Sequence, residues 1–496
     1  MEEKEKEIFI DLQRVPLKSE REERRKKRLR RFALFLSFLA VFAIGMLLGY
    51  ILVRTIHPSY KADTSNTFGE IEYMMDNLWL YGNEHENLKE ELEDKAFYGM
   101  TNFENDPYTS YMSYDELNEF SSSINMNYVG IGVEYSYFDN IALVKKVFKN
   151  SPAEKAGMLP GDIIETIDGE AVENLDTAKI KERVIGVEGT NVVLGINRAG
   201  QKMDVTITRG AINSTAYAYT ENDYVVLEIN SFGEDTAKEC SKYLDDYTSY
   251  EKIVIDLRNN SGGYQNSVKD VCGLFIGGDK VYLRQKDVGG NETIAYTTGN
   301  QKYANFKQMV LLINENTASA AEVFALCLKE QHDNVITVGQ TSYGKGVIQT
   351  NRFLNNGGAI KITTYYWYSP NGVSIHEVGI KPDVDVRMAD IYYEYYSSLK
   401  EDESYEYDSV SEKVRMMQEA LSFLNYDISR FDGYFDLDSF NALKQFKIDN
   451  SLGDDAILDK TTFDALISLV SKQLSLDPNK DLQMLKAKEI INGNNS

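Results

Sequence analysis

The stretch Gln308–Glu330, QMVLLINENTASAAEVFALCLKE, contains the junction that decides the fold. It opens with an apolar run, Gln308–Ile313, that is typical of a buried strand, and apolar residues then recur at helical spacing over Ala321–Leu328. Ser319 therefore lies at a strand-to-helix turn, at the positive end of the helix dipole and beside small residues that admit a substrate backbone. Taken alone, a serine at such a turn is most simply a helix N-cap.

The same alternation continues on the N-terminal side of this junction. Strand-like apolar runs occupy Tyr224–Ile229 and Lys252–Asp256, and a helical pattern over Asp235–Asp245 lies between them. Alternating strands and helices predict an α/β architecture for this part of the chain.

Two further turns carry candidate functional groups. GKGVIQ, residues 344–349, places a lysine between two glycines at the start of a strand, where period two predicts one shared face for Lys345, Val347 and Gln349. DLRNNSGG, residues 256–263, is a buried strand that runs into a loop whose glycine N–H groups can face an anion. Taken singly, these segments could be an exposed lysine and an ordinary β-turn.

A lysine can act as a general base without the help of a histidine. Burial against apolar walls can lower a lysine pKa from ~10.4 by several units, so that the amine accepts a proton near neutral pH. The chain has only four histidines. His332 lies at the far end of the helix that follows Ser319, roughly 20 Å away at ~1.5 Å per residue. His376 is not excluded by spacing, but it has no motif partner.

Composition excludes several other classes of protein. The formal charge is −24, from 53 Lys and Arg against 77 Asp and Glu, which argues against nucleic acid as a partner. No His-Glu-x-x-His or Cys-x-x-Cys pattern occurs, so no metal site and no cofactor are predicted. The three cysteines are too few for a disulfide scaffold and are expected to be small buried hydrophobes, with a catalytic thiol as the weaker alternative: Cys240, Cys272 and Cys327.

An apolar segment near the N-terminus predicts a membrane anchor. Residues 32–53 are apolar apart from Ser37, and at ~1.5 Å per residue they cross the ~30 Å hydrocarbon layer. Basic side chains cluster between Arg21 and Arg31, so the positive-inside rule predicts a cytoplasmic N-terminus and an extracytoplasmic remainder. A cleaved signal peptide would have a shorter apolar region and small residues at its end, so we interpret this segment as an uncleaved signal-anchor.

Between the predicted membrane anchor and the α/β part, the spacing of apolar residues along the chain changes once. Residues 60–120 have helical spacing, and from Tyr128 the spacing approaches two. Ser151 and Gly157 are the predicted N-cap and C′ glycine of a short helix, and a second helix is expected over Thr177–Val184.

The order of parts in residues 121–210 resembles a PDZ domain. In that family, the loop before the second strand offers backbone N–H groups to the terminal carboxylate of a peptide, which then adds to the sheet as a strand. The resemblance assigns this role to Gly130, Ile131, Gly132 and Val133. If only Gly130 and Gly132 are considered, a tight turn is the simpler interpretation of this loop.

Residues 408–475 contain an internal repeat. Asp436 and Asp459 each begin a short helical pattern with matching Phe, Ala and Leu positions, and an earlier helix is marked by apolar residues from Val410 to Leu424. The arrangement resembles the three-helix peptidoglycan-binding domain, with Gln418 and Gly433 at its expected positions. A helical bundle used only for packing or dimerisation is the alternative.

The chain as a whole resembles the carboxy-terminal processing peptidases, which are tail-specific serine proteases with a Ser–Lys catalytic pair. The resemblance rests on motifs that occur in the order of that family: residues 96–100, 106–112, 319–322, 338–346, Gln349, 363–372 and 379–383. It implies an α/β core related to Clp protease and crotonase. It also implies that Ser319 is the nucleophile, Lys345 the general base and Gln349 the residue that orients the lysine.

The same resemblance implies an oxyanion hole formed by backbone N–H groups of Ala320 and of Gly262 or Gly263. It further implies protein substrates with apolar C-terminal tails, a bacterial envelope location and assembly as a homodimer. Ser261 stands where the family usually has proline.

We therefore predict a multidomain α/β protein with eight segments. They are a basic cytoplasmic segment (1–31), a transmembrane helix (32–53), a helical region (60–120), a PDZ β-sandwich or barrel (121–210), a catalytic domain (211–390), a linker (391–407), a peptidoglycan-binding-like helical domain (408–475) and a tail (476–496). The predicted function is that of a single-pass, membrane-anchored extracytoplasmic serine endopeptidase that binds protein tails and cleaves them. The alternative is a non-catalytic envelope scaffold that binds protein tails and cell wall.

Overall fold

The computed structural model describes residues 18–56, 67–138, 141–173, 175–212, 214–394 and 397–493, and the chain divides into two units, residues 1–97 and 98–496. The N-terminal helices are α1 (Lys18–Ile56), α2 (Thr67–Leu78) and α3 (Leu88–Thr101). The predicted transmembrane segment lies within α1, whose stretch Glu22–Leu48 is long and apolar enough to cross a membrane.

The next segment differs from the helical prediction for residues 60–120. It contains a strand, β1 (Ser110–Met112), before helix α4 (Tyr114–Ile124). The strand pairs with residues 359–361 far along the chain. Three residues are too few to show a period, so only the distant partner reveals this strand.

A β-rich domain with two short helices follows. Its elements are β2 (Tyr128–Gly130), β3 (Val133–Phe138), β4 (Ile141–Val147), α5 (Pro152–Lys155), β5 (Ile163–Ile167), β6 (Glu170–Ala171), α6 (Thr177–Val184), β7 (Asn191–Arg198), β8 (Gln201–Thr208) and β9 (Gly210–Ile212). The main sheet has the order β3-β4-β5-β7-β8, with β6 on β5, and β2 pairs with β9. The predicted N-cap is confirmed, since Ser151 Oγ accepts the N–H of Glu154, and Gly157 has a φ of +82°.

The α/β domain comprises β10 (Ala216–Glu221), β11 (Tyr224–Ile229), α7 (Thr236–Leu244), β12 (Lys252–Asp256), α8 (Gln265–Ile276), β13 (Val281–Asp287), β14 (Glu292–Tyr296), β15 (Gln308–Ile313), α9 (Ala320–Gln331), β16 (Val335–Gly339), β17 (Val347–Phe353), β18 (Ala359–Tyr368) and β19 (Val384–Asp385). One sheet has the order β10-β11-β12-β15-β16-β19 and is parallel apart from its β10 edge. A second, antiparallel sheet joins β1, β18, β13 and β14, with β17 also on β18.

Helices α7, α8 and α9 cover one face of the parallel sheet and form the largest core of the protein. All three cysteines are free and buried, and each lies on one of these helices: Cys240, Cys272 and Cys327. The prediction that they are small buried hydrophobes is therefore confirmed.

The remaining helices are α10 (Glu412–Phe423), α11 (Leu437–Asp449), α12 (Lys460–Leu476) and α13 (Leu482–Ile491), and single-turn 3₁₀ helices occupy Gly82–Glu84, Asp245–Tyr247 and Asp390–Tyr392. The carboxylates of Asp436 and Asp459 cap α11 and α12, as the repeat predicts. Val410 precedes α10 and is exposed, so the first helix begins later than its apolar spacing indicated.

The four-residue run Ile141–Val144 shows why the β-rich domain has apolar residues at consecutive positions. Ala142 and Val144 face the domain's own core beneath α6, whereas Ile141 and Leu143 pack into the core of the three helices α10–α12. Both faces of β4 are therefore buried, and the C-terminal helices support the outer face of this sheet.

Helix α13 lies within the segment predicted as a tail. Its apolar side chains pack on the face of the parallel sheet opposite α7–α9. The sequence-based boundary at residue 476 therefore separates the three-helix bundle from a helix that belongs to the α/β domain.

Candidate active site

Ser319 occupies a strained turn at the start of α9. Its φ of +54° and ψ of −117° are unusual for a residue with a side chain and cost about 1–3 kcal/mol. The turn follows the carboxyl end of β15 and brings the serine into a cavity of 990 Å³. Such strain at a cavity wall is typical of a functional residue rather than of a simple helix cap.

A buried carboxylate joins the turn of Ser319 to that of Lys345. Glu322 Oε2 accepts the backbone N–H of Ser319 at 2.8 Å and that of Lys345 at 2.9 Å. Its Oε1 accepts the hydroxyl of Ser342 at 2.6 Å and the N–H of Gly344 at 2.7 Å. Burial raises the pKa of Glu322, while these hydrogen bonds oppose the rise. With four donors directed at it, the group accepts as a carboxylate.

Lys345 lines the same cavity, and its pKa is lowered to about 8. Burial is the main cause, the nearby Lys361 ammonium adds to it, and Glu322 acts in the opposite direction. The Nζ atom lies over the ring of Tyr108, 4.8 Å from the ring centroid. Burial and a hydrogen bond with Tyr343 raise the pKa of that phenol to about 12, and the nearby Glu322 acts in the same direction.

Lys361 is a second, partly buried amine in the cavity. Its Nζ lies over the ring of Phe120, 5.1 Å from the centroid, and burial lowers its pKa. The positive charge of Lys361 disfavours the protonated form of Lys345. Lys361 therefore helps to keep Lys345 available as a base.

Gln349 also lines the cavity, but its amide Nε2 donates to Thr363 Oγ1 at 3.1 Å. Thr363 Oγ1 in turn donates to Asp106 Oδ1 at 3.0 Å. Lys345, Val347 and Gln349, which period two places on one face, all line the cavity. The pairing of β17 with β18 shifts register between Ile348 and Gln349, and consecutive residues of β17 then face the cavity.

The predicted oxyanion donors flank Ser319. A Cβ added to Gly262 would lie 2.9 Å from Ser319 Cβ and 3.0 Å from Ala320 N, so only glycine allows this approach. The N–H of Gly262 donates to Asn260 Oδ1 at 2.8 Å. Among the described residues, the N–H groups of Gly263 and Ala320 have no acceptor, and both residues line the cavity. Gly263 is therefore the better candidate of the two glycines.

The two histidines considered as alternative bases, His332 and His376, lie away from the cavity lining. The Nε2 atom of His332 is 3.1 Å from the carbonyl of Phe306, beyond the C-terminus of α9. His376 packs edge-to-face on Tyr366 and is not among the cavity-lining residues. No group of three or more metal-ligating side chains occurs in the part of the chain that the structure describes.

The predicted peptide-binding loop joins β2 to β3. Gly130 pairs with Gly210, and Ile131 is buried. Gly132 has a φ of +78°, and an added Cβ would lie 2.4 Å from Ser151 Cβ. Within the described ranges, the N–H groups of Ile131 and Gly132 have no acceptor, and the outer edge of β3 pairs with no strand. Val133 begins β3, next to this edge.

Sequence reasoning missed three residues of the site: Tyr108, Glu322 and Lys361. Of these, Glu322 had a recognisable signal, because Ser319 and Glu322 have the Ser-x-x-Glu spacing of a capping box. Lys361 reaches the cavity, and Tyr108 reaches the amine of Lys345, through the pairing of β18 with β17 and β1, which no local pattern reveals.

The fold and the site define a serine-type peptidase with an attached tail-binding domain. Family models agree: the model for peptidase family S41 matches residues 223–386, a PDZ domain model matches residues 143–198, and a peptidoglycan-binding domain model matches residues 410–466. The chain belongs to peptidase family S41, the carboxy-terminal processing proteases.

Three relatives illustrate the similarity. The chain is 33% identical to carboxy-terminal processing protease CtpB and 32% identical to carboxy-terminal processing protease CtpA, both of Bacillus subtilis. These alignments cover 80% of the chain and 84% of CtpB, and 81% of the chain and 85% of CtpA. A probable CtpA-like serine protease of Staphylococcus haemolyticus is 31% identical over 81% of the chain and 80% of that protein.

Proposed function

We propose that this chain is a membrane-anchored, extracytoplasmic endopeptidase in which Ser319 is the nucleophile and Lys345 the general base. The observation that carries the proposal is the convergence of both residues on one carboxylate. Glu322 binds the backbone of each, and both side chains belong to the same 990 Å³ cavity. The lowered pKa of Lys345, about 8, gives a substantial neutral fraction near physiological pH.

In this mechanism, Ser319 Oγ attacks the scissile carbonyl carbon as its proton passes to the neutral amine of Lys345. The carbonyl oxygen becomes an oxyanion, which the N–H groups of Gly263 and Ala320 stabilise. When the C–N bond breaks, the Lys345 ammonium gives its proton to the leaving amine, and an acyl-enzyme ester remains. A water molecule then attacks the ester with Lys345 again as base, which releases the acid and restores Ser319.

Gln349 has a positioning role in this proposal. Its hydrogen bond to Thr363, and that of Thr363 to Asp106, hold the amide at the cavity wall near Lys345. The segment that contains Asp106 and Tyr108 therefore supports the base from a distant part of the sequence.

The substrates proposed are proteins with apolar C-terminal tails. The unpaired edge of β3 can accept a tail as an added strand, and the free N–H groups of Ile131 and Gly132 can bind its carboxylate. Residues of β3 and β4 also line the cavity that contains Ser319: Glu134 and Lys146. A bound tail would thus begin near the catalytic cavity.

Features near both ends of the chain support the proposed location in the cell envelope. Helix α1 can span a bilayer, and the basic cluster before residue 32 favours a cytoplasmic N-terminus in a bacterial cell membrane. The peptidoglycan-binding domain would place the enzyme against the wall. We also propose assembly as a homodimer through the helical region 60–120 and the C-terminal region, as expected from the family resemblance.

The test uses the purified protein with its helix α1 in detergent, and a disordered protein that ends in apolar residues. Mass spectrometry should find C-terminal fragments with the wild-type protein and none with Ser319→Ala. A wild-type protein that binds the tail without cleaving it would instead favour the non-catalytic scaffold. Retained cleavage by Ser319→Ala would contradict the assignment of the nucleophile.

A further inference from the structure

The C-terminal helix α13 is attached to the loop that contains the proposed oxyanion donor. It packs on the parallel sheet through its apolar side chains: Met484, Ala487, Ile490 and Ile491. Gln483 Nε2 donates to the carbonyl of Val386 at 2.9 Å, and Gln308 Nε2 donates to the carbonyl of Ile490 at 3.2 Å. These contacts fix α13 on the sheet whose strand β12 leads into the loop.

The direct link is a two-point ion pair at the start of α13. Arg258 Nη1 and Nη2 donate to the two carboxylate oxygens of Asp481 at 2.7 and 2.8 Å. Asp481 also caps the helix by accepting the N–H of Met484 at 2.9 Å. Burial by itself would raise the pKa of Asp481, but the Arg258 guanidinium outweighs it and the pKa is lowered.

The other side of the same guanidinium binds Asp256 at the end of β12. Arg258 Nε donates to Asp256 Oδ1 at 2.9 Å, and Nη2 donates to Oδ2 at 2.6 Å. Arg258 is therefore held between two carboxylates with its guanidinium nitrogens engaged, and its side chain is largely buried. A planar guanidinium held at both edges has one orientation, which a lysine could not reproduce.

The loop continues from Arg258 to the oxyanion donor through a series of fixed positions. Asn259 has a φ of +60°, and its N–H donates to Asn314 Oδ1 at 2.9 Å. Asn260 is fully buried and accepts the N–H of Gly262. The few residues between Arg258 and Gly263 are therefore held in place by hydrogen bonds.

We propose that Asp481 is a positioning residue for the oxyanion hole, so that α13 is part of the catalytic apparatus. This inference rests on the proposed role of the Gly263 N–H. Removing the charge of Asp481 leaves Arg258 with one carboxylate and loosens the loop on the side that faces α13. A misplaced donor reduces stabilisation of the oxyanion and leaves substrate binding largely intact.

The test compares Asp481→Asn with Lys488→Gln in the full chain. Lys488 lies on the same helix and pairs with Glu221 Oε1 at 2.6 Å, so its loss weakens the attachment of α13 without touching the loop. Asp481→Asn should lower kcat about tenfold to hundredfold with KM changed less than twofold. The inhibition constant of a peptide boronic acid, whose adduct occupies the oxyanion hole, should rise by the same factor. Lys488→Gln should behave like the wild type.

The results are interpreted once the folded fraction of each variant has been measured by thermal unfolding. A kcat of Asp481→Asn within twofold of the wild type overturns the proposal, as does a lowered kcat with unchanged boronate inhibition. If Asp481→Asn does not fold, Asp481→Glu replaces it: a folded protein with kcat lowered severalfold supports the proposal, and wild-type kcat overturns it. Activity in Ser319→Ala would show instead that the proposed nucleophile is wrong.

Discussion

The backbone N–H groups of Ser319 and Lys345 donate to the same atom, Oε2 of Glu322, at 2.8 and 2.9 Å. The two residues are far apart in sequence, and their side chains are the proposed nucleophile and base. Because one carboxylate binds both backbones, the separation of the two turns is fixed before any substrate arrives. Pre-organisation of this kind lowers the cost of reaching the reactive geometry.

Glu322→Gln should reduce kcat by at least tenfold. An amide can accept hydrogen bonds only through its oxygen. Its NH₂ group would therefore face either the N–H groups of Ser319 and Lys345 or the donors of Ser342 and Gly344. Each buried donor left without a partner costs about 1–3 kcal/mol. Steady-state kinetics check the loss, and Glu330→Gln, on the exposed end of the same helix, is the matched control. Equal kcat values for the two variants would contradict this role.

The activity should rise with pH through about 8, since only the neutral amine of Lys345 accepts the proton and its pKa is lowered to about 8. Lys361→Gln removes a neighbouring positive charge. The pKa of Lys345 should then rise, and the midpoint of the kcat/KM profile should move to higher pH. Profiles of wild type and Lys361→Gln on one peptide measure the shift. A midpoint that stays in place, or falls, would exclude the electrostatic role of Lys361.

Lys345→Arg should abolish turnover although it keeps a positive charge. A guanidinium does not lose its proton in the accessible pH range and therefore cannot act as the base. The variant should still bind tail peptides with wild-type affinity, which fluorescence anisotropy measures. A variant with most of the wild-type kcat would return His376 to consideration, even though it lies outside the cavity lining.

The sequence predicts the elements around the site well, because each has a local signal. The run from Gln308 to Ile313 and the strand Tyr224–Ile229 occur with the predicted bounds, and so does the helix Thr177–Val184. Each is either a continuous apolar run or a helix with a capping residue, and such signals need no distant partner.

The parts that the sequence did not predict depend on pairing between distant segments. Strand β1 exists because it pairs with β18, and the register shift before Gln349 is set by the same strand. Helix α13 has an ordinary helical composition, and only its contact with the sheet reveals that it belongs to the catalytic domain. The local sequence pattern of a segment does not identify these distant partners.

The membrane orientation can be tested with a reporter fused after residue 496. The basic cluster before the apolar segment predicts a cytoplasmic N-terminus and an extracytoplasmic C-terminus. A phosphatase that is active only outside the cytoplasm should therefore be active when fused at the C-terminus. A reporter that is active only in the cytoplasm should give no signal there. Replacing the arginines at positions 24, 25, 28, 30 and 31 with glutamine should reduce this asymmetry. A strong cytoplasmic signal from the wild-type fusion would reverse the proposed topology.

Cleavage should depend on a free carboxylate at the end of the substrate. The N–H groups of Ile131 and Gly132 have no acceptor among the described residues, and Gly132 could not carry a side chain, since a Cβ would meet Ser151 at 2.4 Å. Hydrogen bonds to a charged group contribute about 1.5–3 kcal/mol, so an amidated tail should bind roughly tenfold to hundredfold more weakly.

Two peptides that differ only in this end group provide the measurement, with the effect expected in KM rather than in kcat. Deleting the PDZ domain would be a poorer test. Ile141 and Leu143 pack into the core of α10–α12, so the deletion would expose that core as well as remove the groove. If the acid and amide peptides are cleaved with equal kcat/KM, the loop from Gly130 to Val133 is a structural turn, and another part of the protein must recognise the tail.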